Sequence, residues 1–309
     1  MSGRTAAERG GKEGITTPGL VVGAHGRHFM VEAPDGTRGL CHARGKKTPC
    51  VVGDRVQWQI SGDEGVIERV EERRNLLFRQ DEWRSKSFAA NLDQLLILVA
   101  AEPMYAETQL TRALIAAAQA GIPSFIVLNK TDLPQIVAAR ERLAPYRAMG
   151  IEVLELSLKR EAGLAEQLLL PRLSGRATLV LGPSGMGKST LINGMVPAAA
   201  AQVGEISQAL NAGRHTTTTT TWYWLDADRQ TALIDSPGFQ EFGLRQISAA
   251  ELPALMPDLA AHTDCKFYNC SHLHEPGCGV RAALEGGQIS ASRYRIYQEL
   301  HAEVSATRW

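Results

Sequence analysis

The stretch that determines the central fold is Gly182-Pro183-Ser184-Gly185-Met186-Gly187-Lys188-Ser189-Thr190. It fits the phosphate-binding pattern G-x-x-x-x-G-K-S and lies between an apolar run at 177–181 and a helical segment that begins at Lys188. In such a strand, loop and helix, the glycines let backbone N–H groups converge on phosphate oxygens near the positive end of the helix. We therefore predict that Lys188 reaches the β and γ phosphates of a nucleotide and that the Ser189 hydroxyl binds Mg²⁺.

A second segment, Asn129-Lys130-Thr131-Asp132, follows directly after an apolar run at 125–128. The Asp132 carboxylate can accept hydrogen bonds from the guanine ring N–H and exocyclic amino group, a pair of donors that adenine lacks. The wrong base would leave this carboxylate desolvated and unpaired, so the contact discriminates strongly. Alone, the four residues are equally compatible with a turn and helix cap. Beside a phosphate-binding loop, they predict a guanine site.

Two further segments are predicted to approach the phosphates. Asp235-Ser236-Pro237-Gly238 follows an apolar run at 231–234, which predicts a carboxylate near Mg²⁺ and a glycine N–H near the γ-phosphate. Gly213-Arg214-His215-Thr216-Thr217-Thr218 lies between the phosphate loop and Asp235, which predicts a nucleotide-sensing switch with the Thr217 hydroxyl at Mg²⁺. A threonine run is also typical of an edge strand, and we predict one at 219–225.

The order of these segments indicates a permuted domain. In a standard GTPase the phosphate loop comes first and the base-recognition segment later, whereas here Asp132 precedes Lys188, which precedes Asp235. We interpret residues 86–248 as a circularly permuted P-loop GTPase domain. Ser157, after an apolar run at 151–156, then fits the guanine-supporting loop, although a serine after a strand is otherwise unremarkable.

Three of the five cysteines crowd into a short C-terminal segment. The spacing C-x4-C-x-H-x5-C is formed by Cys265, Cys270, His272 and Cys278. Three thiolates and one imidazole suit a tetrahedral structural Zn²⁺ site. Spacing alone leaves the fourth ligand open, because His262 and His274 are also near, and a chance cluster of thiols and histidines is the alternative.

Composition and periodicity divide the chain into four parts. Residues 1–17 hold almost nothing apolar and are predicted to be a disordered tail. Residues 18–85 alternate short apolar segments with turn residues, which predicts a β-barrel of the OB type, with a β-sandwich as the alternative. Residues 86–248 are predicted to be α/β, and residues 249–309 a small domain around the cysteines. In the α/β part we predict strands at 95–101, 125–128, 151–156, 177–181 and 231–234, and helices at 108–120 and 135–149.

Charge and hydropathy exclude several classes of protein. The 309 residues include 33 Lys and Arg against 33 Asp and Glu, so the overall charge gives no argument for a nucleic-acid or membrane partner. No apolar run reaches the roughly 18 residues of a membrane span, and the N-terminal stretch lacks a signal-peptide core. We expect a cytoplasmic, monomeric protein without a membrane partner.

The ordered set of motifs resembles the bacterial circularly permuted, ribosome-associated GTPases that act in small-subunit biogenesis. The resemblance covers the chain from about residue 20 and rests on the segments at 129–132, 182–190, 213–218 and 235–238 together with the cysteines. It implies an OB domain, a permuted GTPase domain and a zinc domain with His272 as the fourth ligand. It also implies hydrolysis of GTP to GDP and phosphate, stimulated by the small ribosomal subunit, and contacts with its rRNA in late maturation.

The residue that activates water is predicted from the resemblance. In many GTPases a glutamine after the switch glycine orients the water, but here Phe239 follows Gly238, and a phenyl ring cannot do so. Gln240 would point to the other side of an extended segment. The resemblance implies that His215 swings in on the ribosome and orients or deprotonates the water. A solvent-exposed loop histidine is the alternative.

Two other classes of function remain open from the sequence. In a P-loop ATPase or small-molecule kinase, the segment at 129–132 would be an incidental turn. In an RNA-binding protein that is stabilised by zinc, the nucleotide site would no longer be functional.

Overall fold

The computed structural model describes residues 16–45, 50–61, 64–80, 85–196, 220–236, 242, 244 and 246–306. The predicted disordered tail lies outside these ranges except for its last two residues, and residue 17 already begins the first strand.

Five N-terminal strands close into a barrel. They are β1 (Thr17–His25), β2 (His28–Glu32), β3 (Arg38–Ala43), β4 (Arg55–Ser61) and β5 (Glu64–Val70). Hydrogen bonds link them in the order β1-β2-β3-β5-β4, and β4 pairs back with β1, so the OB-like barrel is confirmed. Its interior is filled by apolar side chains such as Val31, Cys41 and Trp58. β3 carries little sequence signal, because only one of its six residues, Cys41, is fully buried and the segment lacks apolar alternation.

The central part is an α/β domain with a parallel sheet. Its strands are β8 (Gln94–Ala100), β9 (Ser124–Asn129), β10 (Val153–Glu155), β11 (Ala177–Leu181) and β13 (Ala232–Asp235), in the order β10-β9-β8-β11-β13. All five were predicted as apolar runs, although β10 is shorter than 151–156. A sixth strand, β12 (Thr220–Trp224), pairs antiparallel with β13 and lies within the predicted edge strand at 219–225.

Four helices lie in the described residues of this domain: α1 (Glu107–Gln119), α2 (Ile136–Ala148), α3 (Ala162–Leu173) and α4 (Lys188–Met195). The first two agree with the predicted helices to one residue at each end. Since parallel strands end at the same edge of the sheet, the loops after β9, β11 and β13 meet there.

The barrel and the central sheet are joined through hydrogen bonds. β1 pairs antiparallel with β12, with Gly23 opposite Thr221, so the two parts share one sheet of 11 strands among the described residues. A hairpin of β6 (Leu76–Gln80) and β7 (Ser85–Ala90) lies at the predicted boundary near residue 85.

The C-terminal part has a core of its own that also includes Ile115 from α1. Its elements are a 3₁₀ helix (Leu252–Leu255), α5 (Pro257–Ala260), α6 (Gly279–Glu285) and α7 (Ala291–Ala306). Within the described ranges, no helix has the length and apolar character to cross a membrane.

Candidate nucleotide site and metal centre

The phosphate-binding loop connects β11 to α4 and depends on its glycines. A Cβ on Gly182 would lie 2.3 Å from the carbonyl oxygen of Leu98, and Gly187 has a φ of +108°, which side chains other than glycine rarely adopt. Lys188, the first residue of α4, donates from Nζ to the carbonyl oxygens of Gly182 at 2.5 Å and Pro183 at 3.2 Å. The loop therefore curls around the ammonium group.

Asp235, at the end of β13, is the acidic partner of this loop. Burial raises the pKa of its carboxyl to about 6, against the opposing attraction of Lys188. Burial likewise lowers the pKa of Lys188. The Oδ1 atom of Asp235 is buried and has no hydrogen-bond partner among the described residues. Asp235 and Ser189 line the same cavity. A carboxylate oxygen without a hydrogen-bond partner is suited to bind a divalent cation there, because Mg²⁺ prefers oxygen ligands.

The base-recognition segment follows β9 and is completed by Ser157. The Ser157 Oγ donates to Asp132 Oδ1 at 2.6 Å, and this hydrogen bond lowers the pKa of Asp132. Arg160 Nε lies 3.7 Å from the other carboxylate oxygen. Asp132 is thus held ionised, as an acceptor of guanine donors must be.

Asn129 connects the base end of the site to the phosphate end. Its Nδ2 donates to the carbonyl oxygen of Met186 at 2.8 Å, and its Oδ1 accepts from the Leu158 N–H at 3.0 Å. Both polar groups of this buried side chain are therefore used within the protein. The side chain of Lys130 is fixed by a hydrogen bond in which its Nζ donates to the Glu102 carbonyl oxygen at 2.7 Å. Its backbone has a φ of +61°.

A single cavity of about 590 Å³ joins the two ends. The predicted residues that line it are Asn129, Lys130, Asp132, Ser157, Ser184, Gly185, Gly187, Lys188, Ser189, Thr190 and Asp235. Four other predicted residues belong to the same loops but do not line it: Thr131, Gly182, Pro183 and Met186. His215, Thr217, Gly238, Phe239 and Gln240 lie outside the described residues.

Three lining residues were not predicted: Leu133, Lys159 and Ser236. Lys159 lies two positions after Ser157. Its place in the same short loop as this predicted site residue was the sequence signal that could have identified it. Ser236 follows Asp235 directly, and its Oγ donates to the Val180 carbonyl oxygen at 3.3 Å.

The four predicted zinc ligands converge in the C-terminal part. Their ligand atoms all lie within 4.8 Å of one another. His272 Nδ1 is 3.4 Å from Sγ of both Cys265 and Cys278, and these two sulfurs are 3.9 Å apart. A tetrahedral zinc site, with Zn–S near 2.3 Å and Zn–N near 2.0 Å, separates its ligand atoms by roughly 3.5 to 3.8 Å. The cluster thus fits zinc.

Two tyrosine hydroxyls form hydrogen bonds with the backbone of the loop that carries this cluster. The hydroxyl of Tyr294 donates to the His272 carbonyl oxygen at 2.8 Å, and that of Tyr297 to the Ser271 carbonyl oxygen at 2.6 Å. His262 and His274, the alternative ligands left open by the spacing, both lie outside the cluster, and His274 is exposed.

Comparison with known proteins identifies the family. The model of the family described as RsgA GTPase matches residues 70–245. The chain belongs to the RsgA GTPase family. A protein of Variovorax paradoxus named small ribosomal subunit biogenesis GTPase RsgA is 60% identical over 99% of both chains. The protein of that name in Burkholderia pseudomallei is 52% identical over 97% of this chain and 95% of its own.

Two solved structures resemble the whole chain. YjeQ from Thermotoga maritima superposes with a TM-score of 0.70 at 29% identity, covering 94% of this chain and 98% of its own. YloQ, described as a circularly permuted GTPase, gives a TM-score of 0.68 at 25% identity, covering 98% and 99%. The permuted order predicted from the motifs is therefore confirmed.

Membership in the RsgA GTPase family settles the class of activity. The protein is a GTP hydrolase of ribosomal subunit biogenesis that binds GTP, GDP and Mg²⁺. The three alternatives, a P-loop ATPase, a small-molecule kinase and an RNA-binding protein with a non-functional nucleotide site, are therefore excluded.

Proposed function

We propose that this GTPase acts in late maturation of the small ribosomal subunit, and that the subunit stimulates hydrolysis of GTP to GDP and phosphate. The observation that supports it best is the single cavity with Lys188 and Asp235 at one end and Asp132 with Ser157 at the other. The names of the relatives support the small subunit as the partner.

In this proposal, the cavity holds the nucleotide along its length. Asp132 accepts from the guanine donors, with Ser157 fixing its carboxylate and Lys130 flanking the base. The backbone of residues 182–190 wraps the phosphates, and Lys188 neutralises the β and γ oxygens. Ser189 and Thr217, near Asp235, would hold Mg²⁺, which would supply positive charge against the charge that develops on the phosphates. The N–H of Gly238 meets the γ-phosphate.

The water is activated by His215 in the same proposal. Phe239 occupies the position where many GTPases have a water-orienting glutamine, so the isolated protein lacks that group. His215 belongs to the switch that closes over the γ-phosphate and would act once the subunit is bound. Slow hydrolysis by the free protein follows from this assignment.

We also assign one structural Zn²⁺ to Cys265, Cys270, His272 and Cys278. Zinc ties the ends of a loop that has few apolar side chains, so its binding contributes folding free energy. Elemental analysis of the purified protein should find one zinc per chain. Absence of stoichiometric zinc would reject this assignment.

We further propose that the protein contacts rRNA and acts in the cytoplasm. The barrel exposes the basic side chains of Arg27, Arg44 and Arg55, which suit RNA phosphates. This charge is modest, since residues 21–86 carry 12 Lys and Arg against 10 Asp and Glu. We also propose an RNA contact in the C-terminal part.

The test is GTP hydrolysis by the full-length protein alone, with purified small subunits, and with large subunits as the matched control. We expect stimulation by small subunits only. Equal rates in all three reactions would contradict the proposed partner, while the GTPase itself would stand.

A further inference from the structure

The most exposed aromatic side chain of the described residues lies on the cysteine loop. Tyr268 is 101% exposed, and its neighbour Phe267 is 40% exposed. Both lie in the four-residue interval between Cys265 and Cys270. Two adjacent aromatic rings that are both exposed contribute little to the fold, and together they form an apolar surface that is accessible to a partner.

The loop that carries these rings is held firmly. The Cys270 N–H donates to the Phe267 carbonyl oxygen at 3.3 Å, which closes a tight turn with Tyr268 at its apex. The Lys266 N–H donates to the Gly277 carbonyl oxygen at 2.9 Å and ties the loop to the opposite strand of chain. The ring of Tyr268 therefore projects from a fixed backbone, and binding would cost only its two side-chain torsions.

The surroundings of the two rings suit a nucleobase better than a protein pocket. In the described C-terminal segment, Phe267 and Tyr268 are the large apolar side chains that are exposed, so the apolar surface consists of two rings. A cation lies beside them, with Lys266 Nζ 5.8 Å from the centre of the Phe267 ring. Asn269 and His274 are also exposed and polar. Unpaired RNA bases stack on aromatic faces while cations contact the adjoining phosphates.

We propose that Tyr268 and Phe267 form a stacking platform for unpaired bases of RNA, with Lys266 beside a phosphate. The platform deepens the proposed function, on which it rests, because it gives the zinc domain its own RNA contact. Zinc contributes by holding the loop.

The experiment compares variants of the full-length protein in binding to a short single-stranded oligoadenylate, measured by fluorescence anisotropy at fixed salt. Tyr268→Ala removes the ring, Tyr268→Phe keeps it, and Tyr268→Leu keeps an apolar side chain without a flat aromatic face. Leu164→Ala, at a residue of α3 that is 46% exposed, is the control for general surface change. Zinc content and GTP affinity verify that each variant is folded.

Loss of one stacked base weakens binding by roughly 5- to 100-fold. We expect that loss in Tyr268→Ala and Tyr268→Leu, and wild-type binding in Tyr268→Phe and Leu164→Ala. Wild-type binding in Tyr268→Ala would overturn the platform. Full retention in Tyr268→Leu would also overturn it, because that result indicates an apolar contact with the RNA that does not require stacking on a flat aromatic ring.

Binding to small subunits, measured by sedimentation with the same variants, separates this inference from the proposed function. A parallel loss in Tyr268→Ala supports both. If the wild type binds oligoadenylate through Tyr268 but does not bind small subunits, the proposed function fails and the platform stands.

Discussion

The Asp132 carboxylate can recognise guanine only while it is ionised and fixed in place. Ser157 contributes to both conditions through its 2.6 Å hydrogen bond. We predict that Asp132→Asn weakens GTP binding by roughly 10- to 100-fold, because the amide presents a donor where the guanine donors need an acceptor. Competition among GTP, ATP and xanthosine triphosphate checks it. Xanthine carries an acceptor in place of the exocyclic amino group, so its nucleotide should gain affinity for the variant, whereas unchanged GTP preference would contradict the assignment.

Asp235 should make the stability of the protein depend on pH when neither nucleotide nor magnesium is bound. Its pKa is about 6 in the folded state against 3.8 ordinarily, so folding favours its protonated form. The stabilisation from that proton is present at low pH and is lost as pH rises through 6. At about 1.4 kcal/mol for each pKa unit, the full loss is about 3 kcal/mol.

We therefore expect Asp235→Asn to gain stability relative to the wild type by about 2 kcal/mol between pH of about 4.5 and 7. Urea unfolding without nucleotide or magnesium measures this difference. Saturating Mg²⁺ and GDP should abolish it, since a bound cation keeps the carboxylate ionised. If the difference in stability between Asp235→Asn and the wild type stayed constant across this pH range, the Asp235 carboxyl would have its ordinary pKa.

His215 is the proposed water-activating residue, and its replacement should separate chemistry from binding. We expect His215→Ala to lower subunit-stimulated hydrolysis by roughly 100-fold or more, with GTP affinity nearly unchanged. Gln240→Ala is the matched control and should have little effect. If the two variants exchanged these results, Gln240 would be the catalytic residue.

Among the structural elements, the loops after β9 and β11 depend on each other through Asn129. Its side chain donates to Met186 in the phosphate-binding loop and accepts from Leu158 in the loop of Ser157. Asn129→Ala leaves both buried backbone groups unpaired, at a cost of about 1 to 3 kcal/mol each. We predict weaker binding of GTP and GDP alike by roughly 10-fold or more. Calorimetric titration checks it, and a loss confined to the triphosphate would argue against a positioning role.

The parallel strands could be predicted from the sequence because they are apolar runs, buried in the sheet except for the half-buried β10, and α1 and α2 because glycine follows each of them. Other features carry no such signal. β3 has one buried residue in six, and the pairing of β1 with β12 joins segments almost 200 positions apart through backbone groups. Residue type predicted that Asn129 belongs to the site, but only the fold shows that its amide is used between two loops.

At the scale of the whole molecule, the C-terminal part is fastened to the GTPase domain by a buried cation. Arg293 of α7 is 2% exposed and donates to Asp258 at 2.6 and 2.9 Å. It also donates to Thr111 of α1 at 2.6 Å and lies over the ring of Tyr146 in α2. Because α2 follows the segment of Asp132, this contact links the C-terminal part to a helix next to the proposed guanine site.

This link predicts that Arg293 is needed both for stability and for the response to the subunit. Arg293→Met leaves the Asp258 carboxylate buried without its partner, which costs about 3 to 5 kcal/mol, whereas the double variant Arg293→Met with Asp258→Leu removes both charges and should recover much of that loss. Urea unfolding of the single and double variants measures the difference. In the double variant we expect unstimulated GTP hydrolysis to persist and stimulation by small subunits to fall, because the zinc-bearing part keeps its fold but loses its polar attachment to α1. If stimulation stayed at the wild-type level in that folded variant, the coupling would have to run through the chain that leads from Asp235 into the C-terminal part.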